Sequence, residues 1–235
     1  MKTIHPPFFE IGPKSYLYGD QILQLALAAD AASQKYGVDV IFTTPYTEIR
    51  RVAEATRNLF VFAPHMDSLR IGRGLADILP EAIKAAGAQG VMLNHAERPL
   101  DMRVLKETIS RAKEVELTTI VCASTITQAQ MIARLEPDII VAEPTERIGG
   151  GEPSPVEYVH ASIAAVKSIN PRILVLQGAG ISNAADVYNV IFAGAEATGS
   201  SSGIVKAASP AGMVDEMLHA VRQAYDDRNR AVKEA

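Results

Sequence analysis

Three side chains far apart in the chain have complementary chemistry. Glu143 stands where the apolar, β-branched run Ile139-Ile140-Val141-Ala142 stops. Pro144 follows, and without an N–H it cannot extend a sheet ladder. The polar loop beyond it ends in Gly149, Gly150 and Gly151. A carboxylate at a strand tip, under a glycine-ended loop, suits a general base beneath a movable lid. A surface Glu at an ordinary strand-to-loop junction is the plainer alternative. His95 follows the strand-like run Gly90-Val91-Met92-Leu93, and Lys14 follows Phe8-Phe9-Glu10-Ile11 and the break Gly12-Pro13. A Glu can take a carbon-bound proton beside a carbonyl. A His can donate a hydrogen bond to the oxygen that gains charge, and a Lys can supply positive charge to that oxygen and to a phosphate. Together they suit an aldose–ketose interconversion through an enediolate, provided the fold brings them together.

A second pattern suits an anion. Gly178-Ala179-Gly180-Ile181-Ser182 and Gly199-Ser200-Ser201-Ser202-Gly203 are small, hydrogen-bonding segments near the end of the chain. Glycines let backbone N–H groups approach a ligand, and a helix start there favours negative charge. Gly178, Gly180, Ser182, Ser201, Ser202 and Gly203 are the candidate phosphate ligands; simple turn chemistry is the alternative. His5, His65, His95, His160 and His219 are scattered without paired ligand spacing, so nothing demands a metal. His160 and His219 fall on predicted helices and read as packing residues. His65 follows a strand and could face the site or simply pack. Cys122 reads as a buried strand residue. Glu97 is either a second acid or a supporting residue that pairs with a nearby Arg.

The elements that must hold these residues alternate. Strands are expected over 8–11, 38–42, 59–63, 90–93, 118–122, 139–141, 172–176 and 196–198. Helices are expected over 21–35, 47–55, 77–86 with Asp77 as N-cap, 101–115, 126–135, 154–169 with Pro155 at its first position, 183–192 and 210–224. Beyond Asp226 the charged tail is expected to fray. Strict alternation demands parallel strands joined by right-handed crossovers. Eight units in 235 residues leave about 29 residues each, the size of one unit of a closed (β/α)8 barrel. An open doubly wound sheet would carry a dinucleotide glycine fingerprint after its first strand, and Gly12-Pro13-Lys14-Ser15 does not fit one. The expected fold is therefore α/β, a (β/α)8 barrel, with residues 1–235 forming one domain. In such a barrel all strand C-termini meet on one face, where active sites are built.

Composition narrows the function. The chain is 48% hydrophobic and 21% charged with a net charge of −4, both signs interspersed, which argues against a nucleic-acid surface. Its apolar runs fall far short of the ~20 residues that span a bilayer, and the N-terminus has no signal-peptide core. A single cysteine makes the cytoplasm the expected compartment. Few aromatics and no Trp disfavour a base-stacking or sugar-stacking module.

Several segments resemble the triosephosphate isomerase family, in particular its compact archaeal-type branch. They are Asn94-His95-Ala96-Glu97, Val141-Ala142-Glu143-Pro144 with Ile148-Gly149-Gly150-Gly151, Gly178-Ala179-Gly180-Ile181-Ser182, and Ser202-Gly203. The resemblance extends over nearly the whole chain, including the Leu79-Pro80-Glu81-Ala82 helix start. It implies a TIM barrel and a cofactor-free isomerase of triose phosphates, acting in glycolysis and gluconeogenesis as a homo-oligomer, dimer or tetramer. It implies Glu143 as base, His95 as electrophile and Lys14 as the electrostatic group. It also implies Pro144 to Gly151 as closing lid, with Gly149 or Gly150, Gly180, Ser202 and Gly203 at the phosphate. Three positions depart from the family. Gly12 replaces an Asn two residues before the lysine, Ala96 replaces a Ser after the histidine, and Gly74-Leu75-Ala76-Asp77 replaces a Thr-Gly loop that reaches a neighbouring subunit. These departures admit a sister isomerase of another short phosphorylated ketose, such as a tetrulose phosphate. A non-catalytic phosphosugar-binding barrel is a further alternative.

Overall fold

The computed structural model describes residues 3–147 and 153–234. Eight parallel strands close into a barrel in sequence order: β1 (Phe8–Ile11), β2 (Asp39–Thr43), β3 (Leu59–Ala63), β4 (Gly90–Leu93), β5 (Thr118–Ala123), β6 (Ile139–Ala142), β7 (Leu174–Gln177) and β8 (Ala197–Ser200). The ring closes where β8 pairs with β1, Glu10 lying opposite Gly199. The helices are α1 (Asp20–Tyr36), α2 (Ile49–Ala55), α3 (Pro80–Ala85), α4 (Met102–Glu114), α5 (Ile126–Ala133), α6 (Val156–Lys167), α7 (Ala184–Phe192), α8 (Ser202–Val205) and α9 (Pro210–Glu234).

Side chains alternate across each strand, so every strand feeds two cores. One fills the barrel: Phe8, Ile41, Phe60, Phe62, Ile120, Cys122, Ile139, Val141, Leu176 and Ala197. The other lies between barrel and helices and takes the alternate residues, among them Phe9, Ile11, Phe42, Val61, Val121, Ile140 and Val175. This parity positions the site. Glu143 continues the inward series Ile139, Val141; Gly178 continues Leu174, Leu176; Gly12 continues Phe8, Glu10.

Four local expectations are corrected. The third helix begins at Pro80, not Asp77, with Leu79 extended at φ −69° and ψ 124°. A proline fits a helix only in its first turn and forces its predecessor out of helical geometry. Similarly Pro155 takes the N-cap position of α6 with ψ 151°, one residue before the helix. The residues around Thr47 form a short 3-10 turn, Tyr46–Glu48, ahead of α2. Finally, the charged tail beyond Asp226 is helical and not irregular: α9 runs to Glu234. Arg222 Nε donates to Asp226 one turn on (3.0 Å), Tyr188 of α7 donates to Asp227 (2.9 Å), and Arg228 donates to the carbonyls of Ile191 (2.8 Å) and Ala195 (3.0 Å). The apolar face Val214, Met217, Leu218, Val221 and Ala224 anchors the helix that these contacts extend. Among the described residues no helix is long and apolar enough to cross a membrane.

Candidate active site

At the C-terminal ends of the strands lies a cavity of about 620 Å³, within the size range of small-molecule sites. Lys14, His95 and Glu143 all line it. The barrel thus brings together residues from the ends of β1, β4 and β6.

Lys14 is fixed from both sides. Its backbone lies in the left-handed region at φ 50°, a conformation that persists in a non-glycine residue only when its surroundings impose it. Its ammonium sits 2.9 Å from Glu97 Oε1. Glu97 therefore pairs with Lys14 and not with an Arg. That contact holds the Glu97 carboxyl below its ordinary range.

His95 is oriented by its own loop. Asn94, at φ 58°, donates through Nδ2 to the Cys122 carbonyl (2.9 Å) and accepts from the Leu100 N–H (2.9 Å), which sets the turn. The Glu97 N–H donates to His95 Nδ1 at 3.1 Å. A neutral ring with Nδ1 accepting carries its proton on Nε2. Burial, aided by the Lys14 charge, holds the imidazole below its ordinary value and favours that neutral form.

Glu143 is anchored through its N–H, which donates to the Ala123 carbonyl (2.9 Å). Burial raises its pKa above 4.5, against the opposing pull of Lys14 and the Ala179 N–H. Gly178 makes room for it: a Cβ there would lie 2.9 Å from Val141 Cγ1 and 3.1 Å from both Cδ and Oε1 of Glu143.

The candidate anion residues divide. Gly178, Gly180, Ser201 and Ser202 line the cavity, whereas Ser182 and Gly203 stand behind the lining. The Ser182 N–H is taken by Asp186 (2.9 Å), and the Asn183 side chain caps α7 through the Asp186 N–H (3.0 Å). Gly203 packs the last two loops together: a Cβ there would lie 2.7 Å from the Ile181 carbonyl oxygen and from Ser200 Oγ. Gly199 and Ser200 belong to β8 and not to a loop. The first N–H groups of α8 have no partner inside that helix, and the buried Ser201 hydroxyl makes no hydrogen bond. Gly149 and Gly150 lie outside the described residues.

His65 also lines the cavity, buried, with Nε2 3.2 Å from Asp67 Oδ1. Asp67 accepts from the Ile78 N–H (2.7 Å), so the pair ties down the loop before α3. His160 contacts the Ala193 carbonyl (2.6 Å) and His219 packs on Tyr36, both away from the site. Cys122 is a buried free thiol in the barrel wall, its pKa pushed well up by burial. Among the described residues no cluster of His, Cys, Asp and Glu could hold a metal.

Sequence reasoning missed Glu10 and Thr43, which line the same cavity. The signal was available: Glu10 is a charge at an inward position of a strand whose neighbours are apolar.

The sequence profile of the family described as triosephosphate isomerase matches residues 14–217. A triosephosphate isomerase of Sulfurisphaera tokodaii is 33% identical over 225 residues, 94% of this chain and 98% of that protein. One from Sulfolobus acidocaldarius is 34% identical over 227 residues, covering 95% and 98%. One from Methanobacterium bryantii is 35% identical over 210 residues, covering 87% and 92%.

Proposed function

Because this chain belongs to the triosephosphate isomerase family, we propose that it interconverts D-glyceraldehyde 3-phosphate and dihydroxyacetone phosphate without a cofactor. Glu143 takes the proton from the carbon beside the carbonyl. The C–H electron pair becomes the enediolate double bond, and the carbonyl oxygen takes up the negative charge. His95 Nε2–H and the Lys14 ammonium stabilise that oxygen. The proton of the adjacent hydroxyl then passes to the former carbonyl oxygen, relayed at His95 Nε2, and Glu143 returns its own proton to the carbon that bore the carbonyl, leaving the new carbonyl on the neighbouring carbon. A Glu base, a neutral His and a closing loop are this family's familiar division of labour.

The observation that carries this reading is the Glu97 N–H donating to His95 Nδ1, in a cavity shared with Glu143 and Lys14. It leaves Nε2 as the donor, as an enediolate requires. Burial raises the basicity of Glu143, which makes it a better proton acceptor once ionised. Gly178, Gly180, Ser201, Ser202 and the start of α8 face the phosphate, with Ser182 and Gly203 shaping the loops behind them. We read residues 1–235 as one barrel domain working in the cytoplasm as a homo-oligomer. Ile71 and Leu75, 76% and 92% exposed, provide apolar surface for a second copy.

The test is isomerisation of triose phosphates by the purified protein beside its Glu143→Gln variant. Turnover by the wild type, reduced at least about a thousandfold in the variant, is expected. Equal inactivity of both on triose and tetrulose phosphates alike would leave only a phosphosugar-binding role.

A further inference from the structure

The floor of the cavity holds a carboxyl that the reaction above leaves unused. Glu10 points inward from β1, and a Cβ at Gly12, the next residue on that face, would lie 3.0 Å from Glu10 Oε1. Across the β1–β8 seam, a Cβ at Gly199 would lie 3.2 Å from Glu10 Oε2. Two glycines therefore give this carboxyl its room, and Gly199 fixes its place. Two and three residues further along stand Ser201 and Ser202, the cavity serines assigned to the substrate phosphate. At about 3.3 Å per residue, the carboxyl lies within roughly 10 Å of them. Oε1 is sealed from solvent, and the exposure Glu10 retains is to the cavity. Each element packed against it contributes a group or none. Lys14, at the end of its own strand, and the Thr43 hydroxyl of β2, set against it, favour its charged form; Glu143 of β6 favours its neutral form. The Cys122 thiol of β5 is itself kept neutral by burial and by both carboxyls, and β8 presents only Gly199. Burial outweighs the rest and lifts the Glu10 pKa to about 7.

A negative charge beneath an anion site opposes the anion, and inside a cavity of low dielectric it is poorly screened. Protonated, Glu10 adds no charge below the phosphate. Ionised, it repels the dianion. We propose that Glu10 couples proton binding to phosphate binding: the substrate dianion binds at full affinity only while this carboxyl carries a proton, and a bound dianion in turn holds that proton in place. The second half follows from the first, because such coupling is reciprocal. Glu10 acts through its charge and does not touch the substrate, so Glu143, His95 and Lys14 keep their roles in triose phosphate isomerisation. This rests on the isomerase reading of the site, which sets the phosphate at Ser201 and Ser202, and adds the group that controls how tightly it is held.

The probe is inorganic sulfate, read as a competitive inhibitor of triose phosphate turnover. Sulfate stays a dianion across the neutral range, whereas a phosphate monoester has a second pKa of about 6 and would add its own titration. From pH 6 to pH 8 the wild-type inhibition constant should rise at least about tenfold as Glu10 ionises. In Glu10→Gln, which keeps the shape and cannot ionise, it should change less than about threefold. Calorimetry in buffers of different ionisation enthalpy should show proton uptake when sulfate binds the wild type at pH 7, and less when it binds the Gln variant. Thr43→Val removes a group that favours the ionised carboxyl, so the rise should move to higher pH; this variant carries the test should Glu10→Gln fail to fold. An inhibition constant that stays flat in the wild type, rises of equal size in wild type and Glu10→Gln, or a Thr43→Val profile that does not move would each overturn the proposal. Each would leave the isomerase reading standing, since turnover is the readout. A wild type without turnover would overturn that reading and this one with it.

Discussion

Replacing Glu10 by Gln removes a titrating group from the barrel while keeping its shape, and the consequence can be worked out. Unfolded, the carboxyl has a pKa near 4.5; folded, burial lifts it to about 7. Below pH 4.5 both states hold the proton, so the group adds no pH dependence. Between 4.5 and 7 the unfolded chain releases its proton and the folded chain keeps it, so rising pH favours unfolding. Above 7 both are ionised and the penalty levels off. At about 1.4 kcal/mol per pH unit, that gap makes the folded wild type about 3 kcal/mol less stable at pH 8 than at pH 4, from this group alone. Urea unfolding of wild type and Glu10→Gln across this range reads the effect of this carboxyl together with its coupling to Glu143 and Lys14, and titrating groups far from it cancel in the difference. The advantage of the Gln variant should grow by about 3 kcal/mol from pH 4 to pH 8, or roughly 6–12 °C in Tm for a chain of this size. Stability curves that stay parallel from pH 4 to pH 8 would refute the burial of a neutral carboxyl at this position.

Other outcomes follow from the same geometry. Phe62→Ala empties the barrel interior where the ring packs against Gly90, whose added Cβ would lie 2.3 Å from it. It should destabilise by about 3–5 kcal/mol in denaturant unfolding, and a loss under about 1 kcal/mol would contradict the packing. Gly178→Ala places a methyl 3.1 Å from the Glu143 carboxyl and should lower kcat by moving the base, with stability changed far less. Activity should fall as acid protonates Glu143, at a pH above its ordinary 4.5 because burial raises its pKa. An acidic limb in kcat/KM at or below 4.5 would argue against that burial.

Much of this arrangement was legible in the chain because barrel geometry is simple. Eight apolar runs at even spacing implied parallel strands, and the end of each run marked where Lys14, His95 and Glu143 would stand. The strand-tip glycines were legible as special, but not their purpose: Gly178 and Gly199 clear space for carboxyls, and that depends on which residue lies across the neighbouring strand. Glu10 was hidden for a related reason. Inside a four-residue strand it reads as an interruption until the inward parity of Phe8, Glu10 and Gly12 is considered against a closed ring. The partner of Glu97 was equally non-local, since Lys14 lies 83 residues away. At α3, local chemistry gave two competing starts, and the rigid φ of Pro80 prevailed over the capping ability of Asp77. At α9, charge alone suggested fraying, whereas contacts to α7 extend the helix.

The most direct examination of Glu143 as base is hydrogen exchange at the carbon beside the carbonyl. With dihydroxyacetone phosphate in heavy water, the wild type should place deuterium from solvent on that carbon during turnover, and Glu143→Gln should place none above the uncatalysed background. Deuterium incorporation by the Gln variant at the wild-type rate would mean that another group moves the proton, and would remove the carboxylate from the centre of the chemistry.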